Sequence, residues 1–203
     1  MAVKLTKNEQ KLQKDHLKQY QRYLPTLQLK KQQLQMVIRQ IEVQVTNLRA
    51  QQKKVVEGMQ EWIAVYHENT VFPPSLQLDN LVKIDRIVKA KGNIAGVTIP
   101  VFKELTFFPI EYDLYEYPLW VDKALESLRD CSRYDALIST LEQQIRLLGK
   151  ELRTTSQRVN LFEKVKIPES KENIRRIGIY LGDQQTAAVV RGKIAKKKLV
   201  KGM

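Results

Sequence analysis

The chain has 203 residues, 43% of them apolar and 28% charged, but only 7% aromatic, with eight glycines and one cysteine. That is enough apolar material for a core and little for a loop-rich catalytic fold, and the lone Cys131 excludes an internal disulfide framework or a multi-cysteine metal cluster. The net charge of +13 belongs to the two ends: residues 1–31 hold eight Lys/Arg against Glu9 and Asp15, residues 191–203 hold Arg191, Lys193, Lys196, Lys197, Lys198 and Lys201 with no acid, and the stretch between is nearly neutral.

Residues 1–69 read as one long helix. From Leu17 the apolar residues fall into alternating steps of three and four: Leu17, Tyr20, Leu24, Leu27, Lys31, Leu34, Ile38, Ile41, Val45, Leu48, Gln52, Val55, Met59, Trp62, Tyr66. An ordinary amphipathic helix drifts about 20° per heptad, so a repeat held this long marks a coiled-coil seam, roughly 75–80 Å from end to end. Pro25 lies inside the pattern and should kink the helix, although Leu24 and Leu27 keep the phase across it.

Residues 70–118 break that pattern. Phe72-Pro73-Pro74-Ser75 ends the helix. Two β-branched runs follow, Leu81 to Ala90 and Ile94 to Phe108, with the turn signal Lys91-Gly92-Asn93 between them. They predict one or two short hairpins, with Pro100 and Pro109 confining strands to edges. Because an isolated hairpin is marginal in water, this insert should pack on a helix flank or on another protein.

A second seam fills residues 119–190: Trp120, Ala124, Ser127, Cys131, Tyr134, Ile138, Leu141, Ile145, Leu148, Leu152, Thr155, Val159, Phe162, Lys166. Pro168 should bend this helix. The pattern resumes at Ile174, Ile177 and Leu181 and fades into a basic tail, residues 191–203.

Neither seam can remain wet, since burying apolar surface at roughly 25 cal/mol per Å² is the main driving force available. Two matched seams joined by a compact insert most simply fold back on each other. The fold class expected is therefore mainly α: a long antiparallel two-helix coiled coil with a small β-hairpin-containing insert between the helices. A parallel homodimer is the alternative. Folding back brings the two basic ends together, which makes sense if that tip faces an acidic or phosphate-bearing surface, or if the tail stays solvated.

No catalytic constellation accompanies this plan. His16 and His67 lie about 50 residues, or roughly 75 Å, apart on one expected helix. Phosphate-loop, dinucleotide, nucleophile-elbow and zinc-protease motifs are absent. Glu142, Glu151 and Glu163 fall on wet faces, and Cys131 on the apolar seam reads as an inert buried thiol. No cofactor is expected. The longest apolar run, Trp62 to Tyr66, is far short of the roughly 20 residues needed to cross a bilayer, and Met1 to Gln10 contains no apolar signal core, so no direct membrane insertion is expected.

Several stretches resemble the family of central rotor shafts, the D subunits, of the rotary V/A-type ATPases. Leu5-Thr6-Lys7-Asn8-Glu9, followed by Leu27-Gln28-Leu29-Lys30-Lys31-Gln32-Gln33-Leu34, is similar to that family's first helix. Arg158-Val159-Asn160-Leu161-Phe162-Glu163, with Pro168 five residues beyond Glu163, then Ile174, Ile177, Leu181 and a basic end, is the more specific match. Leu24-Pro25 and the segment Gly182 to Ala188 depart from the family's pattern. The resemblance implies a non-catalytic central-stalk rotor component that couples rotation to ATP synthesis or hydrolysis in a head and to ion transport in a membrane ring. It implies that the tip with both termini meets catalytic and non-catalytic head subunits, that the insert side binds a small second central-stalk subunit, and that the lower end docks on a connector to the ring. The place implied is cytoplasmic and peripheral to the membrane.

On that reading the candidate partner-binding residues are Leu5 and Leu12, Arg158, Asn160 and Glu163, and Arg191, Lys193, Lys196, Lys197 and Lys198. The competing function is a basic coiled-coil scaffold or nucleic-acid-binding protein. Nucleic acid is not expected, because the positive charge is confined to the ends and no aromatic residues interleave with it.

Overall fold

The computed structural model describes residues 3–61, 81–109, 112–113, 115 and 120–201. The chain is mainly helical. In order come α1 (Lys7–Gln60), a hairpin of β1 (Ile84–Ile94) and β2 (Val97–Phe107), α2 (Val121–Leu161), a five-residue π turn (Phe162–Lys166) and α3 (Ile167–Lys201). They form two compact units, Met1–Gln32 with Arg153–Met203, and Gln33–Leu152. The seam residues Trp62 and Tyr66, together with His67, the break at Phe72-Pro73-Pro74-Ser75 and Pro118, lie outside the described residues.

α1 opens on the first half of a capping box. The Thr6 hydroxyl accepts from the Glu9 amide at 3.3 Å, satisfying a helix-end donor that has no partner within the helix. The helix then runs to Gln60 without interruption, Pro25 included. Every described position of the expected seam is buried or half-buried, on both helices, the polar members Lys31, Gln52, Ser127 and Thr155 among them.

In the Gln33–Leu152 unit, α1 and α2 lie antiparallel. Arg49 Nη2 meets Glu142 Oε1 at 2.5 Å, while Gln52 Nε2 donates to Asp135 Oδ1 at 2.7 Å. Moving forward along α1 thus moves backward along α2. Cys131 is one helical turn before Asp135, so by the antiparallel register it is level with about Val56, one turn beyond Gln52. Burial pushes its thiol pKa up, with smaller contributions from Asp135 and Asp130. Leu34 and Leu148 are fully buried in a core that also holds Ile41, Val45, Ile138 and, from the hairpin, Ile99.

The hairpin packs on the helix flank through this core. α2 receives it along a second line of buried residues, Ala136, Thr140 and Gln144. Their small or polar side chains leave room for backbone to approach, and Gln144 Nε2 donates to the Pro100 carbonyl at 2.5 Å. Phe107 at the hairpin base sits under two guanidinium groups, those of Arg129 and Arg133, at 5.9 and 5.8 Å. Beside it Leu81, Val121 and Leu125 form a smaller cluster against Val82, Tyr112 and Trp120.

The turn is not at Lys91-Gly92-Asn93. Those residues belong to β1, where Gly92 pairs with Ile99 and Lys91 with Pro100, and the chain reverses at Ala95-Gly96. Both turn residues have positive φ, 52° and 81°, as a two-residue turn matched to the twist of the strands demands. Asn93 Oδ1 accepts from the Gly96 amide at 3.0 Å and steadies the reversal. Gly92 serves packing instead: a Cβ there would come within 2.8 Å of Val101 Cγ2. A two-stranded sheet has only edge strands, which is what admits Pro100 in β2.

Pro168 is accommodated by the π turn immediately before it. Proline lacks the amide donor and crowds the carbonyl four residues back; the wider turn carries the ladder past it with the Ile167 amide donating to the Phe162 carbonyl. The turn also changes the helix phase. Continuing the three-four repeat from Val159 would bury Glu169, Asn173, Arg176 and Tyr180, yet all but the half-buried Asn173 are exposed, and the residues one position later, Ser170, Ile174, Ile177 and Leu181, are all buried or half-buried.

Candidate partner-binding surfaces

In the Met1–Gln32 and Arg153–Met203 unit, α1 and α3 also run antiparallel. The Tyr20 and Phe162 rings stack with centroids 5.2 Å apart, and Gln10 Nε2 lies 3.4 Å from where a Cβ on Gly178 would be. By that register the start of α1 is level with about Gly182. Beyond it α3 has no companion helix among the described residues, and every side chain from Gly182 to Lys198 is exposed. Arg191, Lys193, Lys196, Lys197 and Lys198 are all on this solitary segment, and none forms an ion pair among the described residues. They share it with exposed Val189, Val190 and Ile194.

Leu5 and Leu12 are 42% and 47% exposed, so neither belongs to the core. Leu5 and Val3 border an open groove of about 680 Å³ whose other walls come from α3, including Ile177, Ile179, Glu172 and Arg176. Glu172 is bridged by Arg175 and Arg176 at 2.8 and 2.9 Å. Those hydrogen bonds, from Arg175 first and Arg176 second, hold its carboxyl well below the usual range, at about 2. The groove's charges are therefore already satisfied within the helix.

The Arg158–Glu163 block divides by face. Val159 is 3% exposed and Phe162 half-buried against Tyr20, whereas Arg158, Asn160 and Glu163 are exposed. The candidate residues therefore fall on three separate places: the α1 start, the α2 end with the π turn, and the α3 end.

One further surface is invisible to a search for apolar periodicity. Lys4, Lys7, Lys11, Lys14, Lys18 and Arg22 are all exposed. Lys4 lies just ahead of α1, and the other five follow in steps of three and four that put them within about 40° of a single line along the helix, at 100° per residue. Glu9 is half-buried on the opposite side, where it accepts from Gln13 at 2.9 Å, and Asp15 is at the stripe's edge. None of the six cations forms an ion pair among the described residues. The signal that marks them is a basic, not an apolar, helical repeat.

No helix among the described residues is long and apolar enough to cross a membrane. Comparison with known proteins finds relatives along nearly the whole chain. The family model for the ATP synthase D subunit matches residues 9–197. The V-type ATP synthase D subunit of Borreliella burgdorferi is 50% identical over 199 residues, covering 98% of this chain and 96% of that protein. Those of Chlamydia pneumoniae and Chlamydia trachomatis serovar L2 are 35% and 34% identical, covering 98% and 97% of this chain and 94% and 96% of theirs. With a match of that extent on long antiparallel helices and their intervening hairpin, the chain belongs to the ATP synthase D-subunit family, as a non-catalytic central-stalk component.

Proposed function

We propose that this chain is the rotor shaft of a V-type ATP synthase, with the end that carries both termini seated in the axial opening of a head made of alternating catalytic and non-catalytic subunits. The observation that carries the reading is the solitary end of α3, a basic helix exposed at every side chain from Gly182 to Lys198. A helix without a companion among the described residues is suited to a partner that surrounds it. On this reading Arg191, Lys193, Lys196, Lys197 and Lys198 face the inner wall of the head, with Leu5 and Leu12 below them.

Further partners follow from the same assignment. The hairpin side binds a small second central-stalk subunit, and the opposite end of the helical pair meets the connector to the membrane ring. Arg158, Asn160 and Glu163 turn outward from the Val159–Phe162 packing and are free to meet the collar. The protein then works in the cytoplasm, peripheral to the membrane.

The mechanism needs no nucleotide contact from the shaft. A single chain cannot reproduce threefold symmetry, so three equivalent sites around it receive unequal contacts. Turning the shaft exchanges those contacts and thereby the nucleotide affinities, which is a coupling free energy between shaft angle and site occupancy. Truncation after Arg191 tests the seating. The shortened chain should keep its thermal transition and bind reconstituted head subunits more weakly; head binding as tight as that of the full chain would refute a role for the tail.

A further inference from the structure

The stripe along the opening turns of α1 is a different kind of surface from the tail. Its helical cations, Lys7 to Arg22, occur once per turn on the face turned away from α3, with Lys4 just ahead of the helix; all six are exposed, and no carboxylate among the described residues pairs with them. Leu12, an exposed large apolar residue on the same turns, is about 120° around the helix from its centre line, and Leu5 lies ahead of the helix. It therefore offers charge without an apolar anchor.

We infer that Lys4, Lys7, Lys11, Lys14, Lys18 and Arg22 form a distributed electrostatic face for a carboxylate-rich protein wall, with no single cation acting as the anchor. This rests on the shaft reading above and names the chemistry of the wall that the shaft meets. Two physical points favour carboxylates on a partner. Like charges one turn apart repel one another, so the stripe is stabilised only by an opposing surface or by salt. Base recognition would require aromatic stacking platforms, and no aromatic side chain lies within the stripe.

The even spacing has a mechanical consequence. Opposite charges separated by water attract over about 8–10 Å without demanding a fixed register, whereas a buried apolar plug occupies one pocket. A wall with several carboxylates can meet such a stripe at more than one rotational position, exchanging one cation for the next a turn away. Attraction is retained while the surfaces slide.

The test uses the full chain with reconstituted head subunits and reads affinity against salt concentration. Single changes Lys7→Gln, Lys11→Gln, Lys14→Gln and Lys18→Gln should each weaken binding by no more than about fivefold, the range of an exposed ion pair. The four together should weaken it by about ten- to a hundredfold and flatten the salt dependence, while the corresponding four Lys→Arg changes retain both. Glutamine and arginine are good helix formers, so circular dichroism should be unchanged in either set. A single substitution accounting for the whole loss would overturn the distributed face, as would a fourfold glutamine variant with the original affinity and salt slope. Competition by RNA or by anionic lipid vesicles, at concentrations that leave the fourfold glutamine variant unaffected, would overturn the carboxylate assignment. A wild-type chain that binds no head subunits at any salt would instead sink the shaft reading itself, a separate result.

Discussion

At the scale of single residues, the hairpin turn concentrates the clearest conflict between local preference and global demand. Ala95 holds φ of 52°, where a Cβ crowds the following carbonyl at a cost of roughly 1–2 kcal/mol. Ala95→Gly should therefore raise stability by about 0.5–1 kcal/mol, part of the relief being offset by the entropy of glycine in the unfolded chain, as thermal or urea unfolding would register. Gly92→Ala should act in the opposite direction, by about 1–3 kcal/mol, because the new methyl meets Val101 Cγ2 at 2.8 Å. Equal and small effects at both sites would show that the turn and the close approach have been misplaced. The same two positions explain why composition points to the wrong turn. Lys91-Gly92-Asn93 has the make-up of a reversal, but Gly92 is needed for space, and alanine at position 95 gives no hint that the backbone turns left-handed there. Register decides, since only this pairing carries Ile99 into the helical core.

At the scale of elements, the two seams were legible almost completely, because burial of one stripe per helix leaves a periodic trace that polar exceptions such as Gln52 and Thr155 do not erase. The docking line on α2 was not legible: Ala136, Thr140 and Gln144 are buried for being small or hydrogen-bonded rather than for being oily. The π turn left a trace in the spacing. Lys166 to Ile174 is eight residues where the repeat allows seven, and the structure absorbs the surplus in one wide turn ahead of Pro168. Deleting Val165 together with Pro168→Ala should remove that surplus, restore a regular helix and keep the fully buried Ile177 in the seam, with stability within about 1 kcal/mol of Pro168→Ala alone. Inserting one alanine after Val165 should instead rotate the following segment by about 100°, turning Arg176 inward in place of Ile177, with a loss of about 2–5 kcal/mol, comparable with removing a large core side chain. A deletion variant that loses as much as the insertion variant would mean that the wide turn does not absorb the extra residue.

At the scale of the molecule, the candidate surfaces were half visible in the sequence. Counting charges located both basic ends, but a count has no direction, and the one-sided line from Lys7 to Arg22 emerges only when those residues are placed on a helix whose other side is occupied by α3. The tail shows the opposite case. Its charge was evident, while its isolation depends on where α1 begins, level with about Gly182. Hydrogen exchange should reflect that isolation. In the free chain, amides from about 185 to 198 should exchange at nearly the unprotected rate, while those around Leu34 and Leu148 remain protected. Tail amides as slow as those in the Leu148 turn would contradict the expectation.

That isolation has a thermodynamic side. From Gly182 onward every side chain to Lys198 is exposed, so burial adds nothing to the backbone ladder, and Lys193 and Lys197, one turn apart, repel each other. In the free chain the last turns should therefore fray, since helices of this length hold only marginally in water. Ordering that segment and occupying it become a single event, with the entropy of the first subtracted from the enthalpy of the second. Calorimetry of seating should then show a large negative heat capacity change alongside a favourable enthalpy, the signature of a binding site completed by its own occupant.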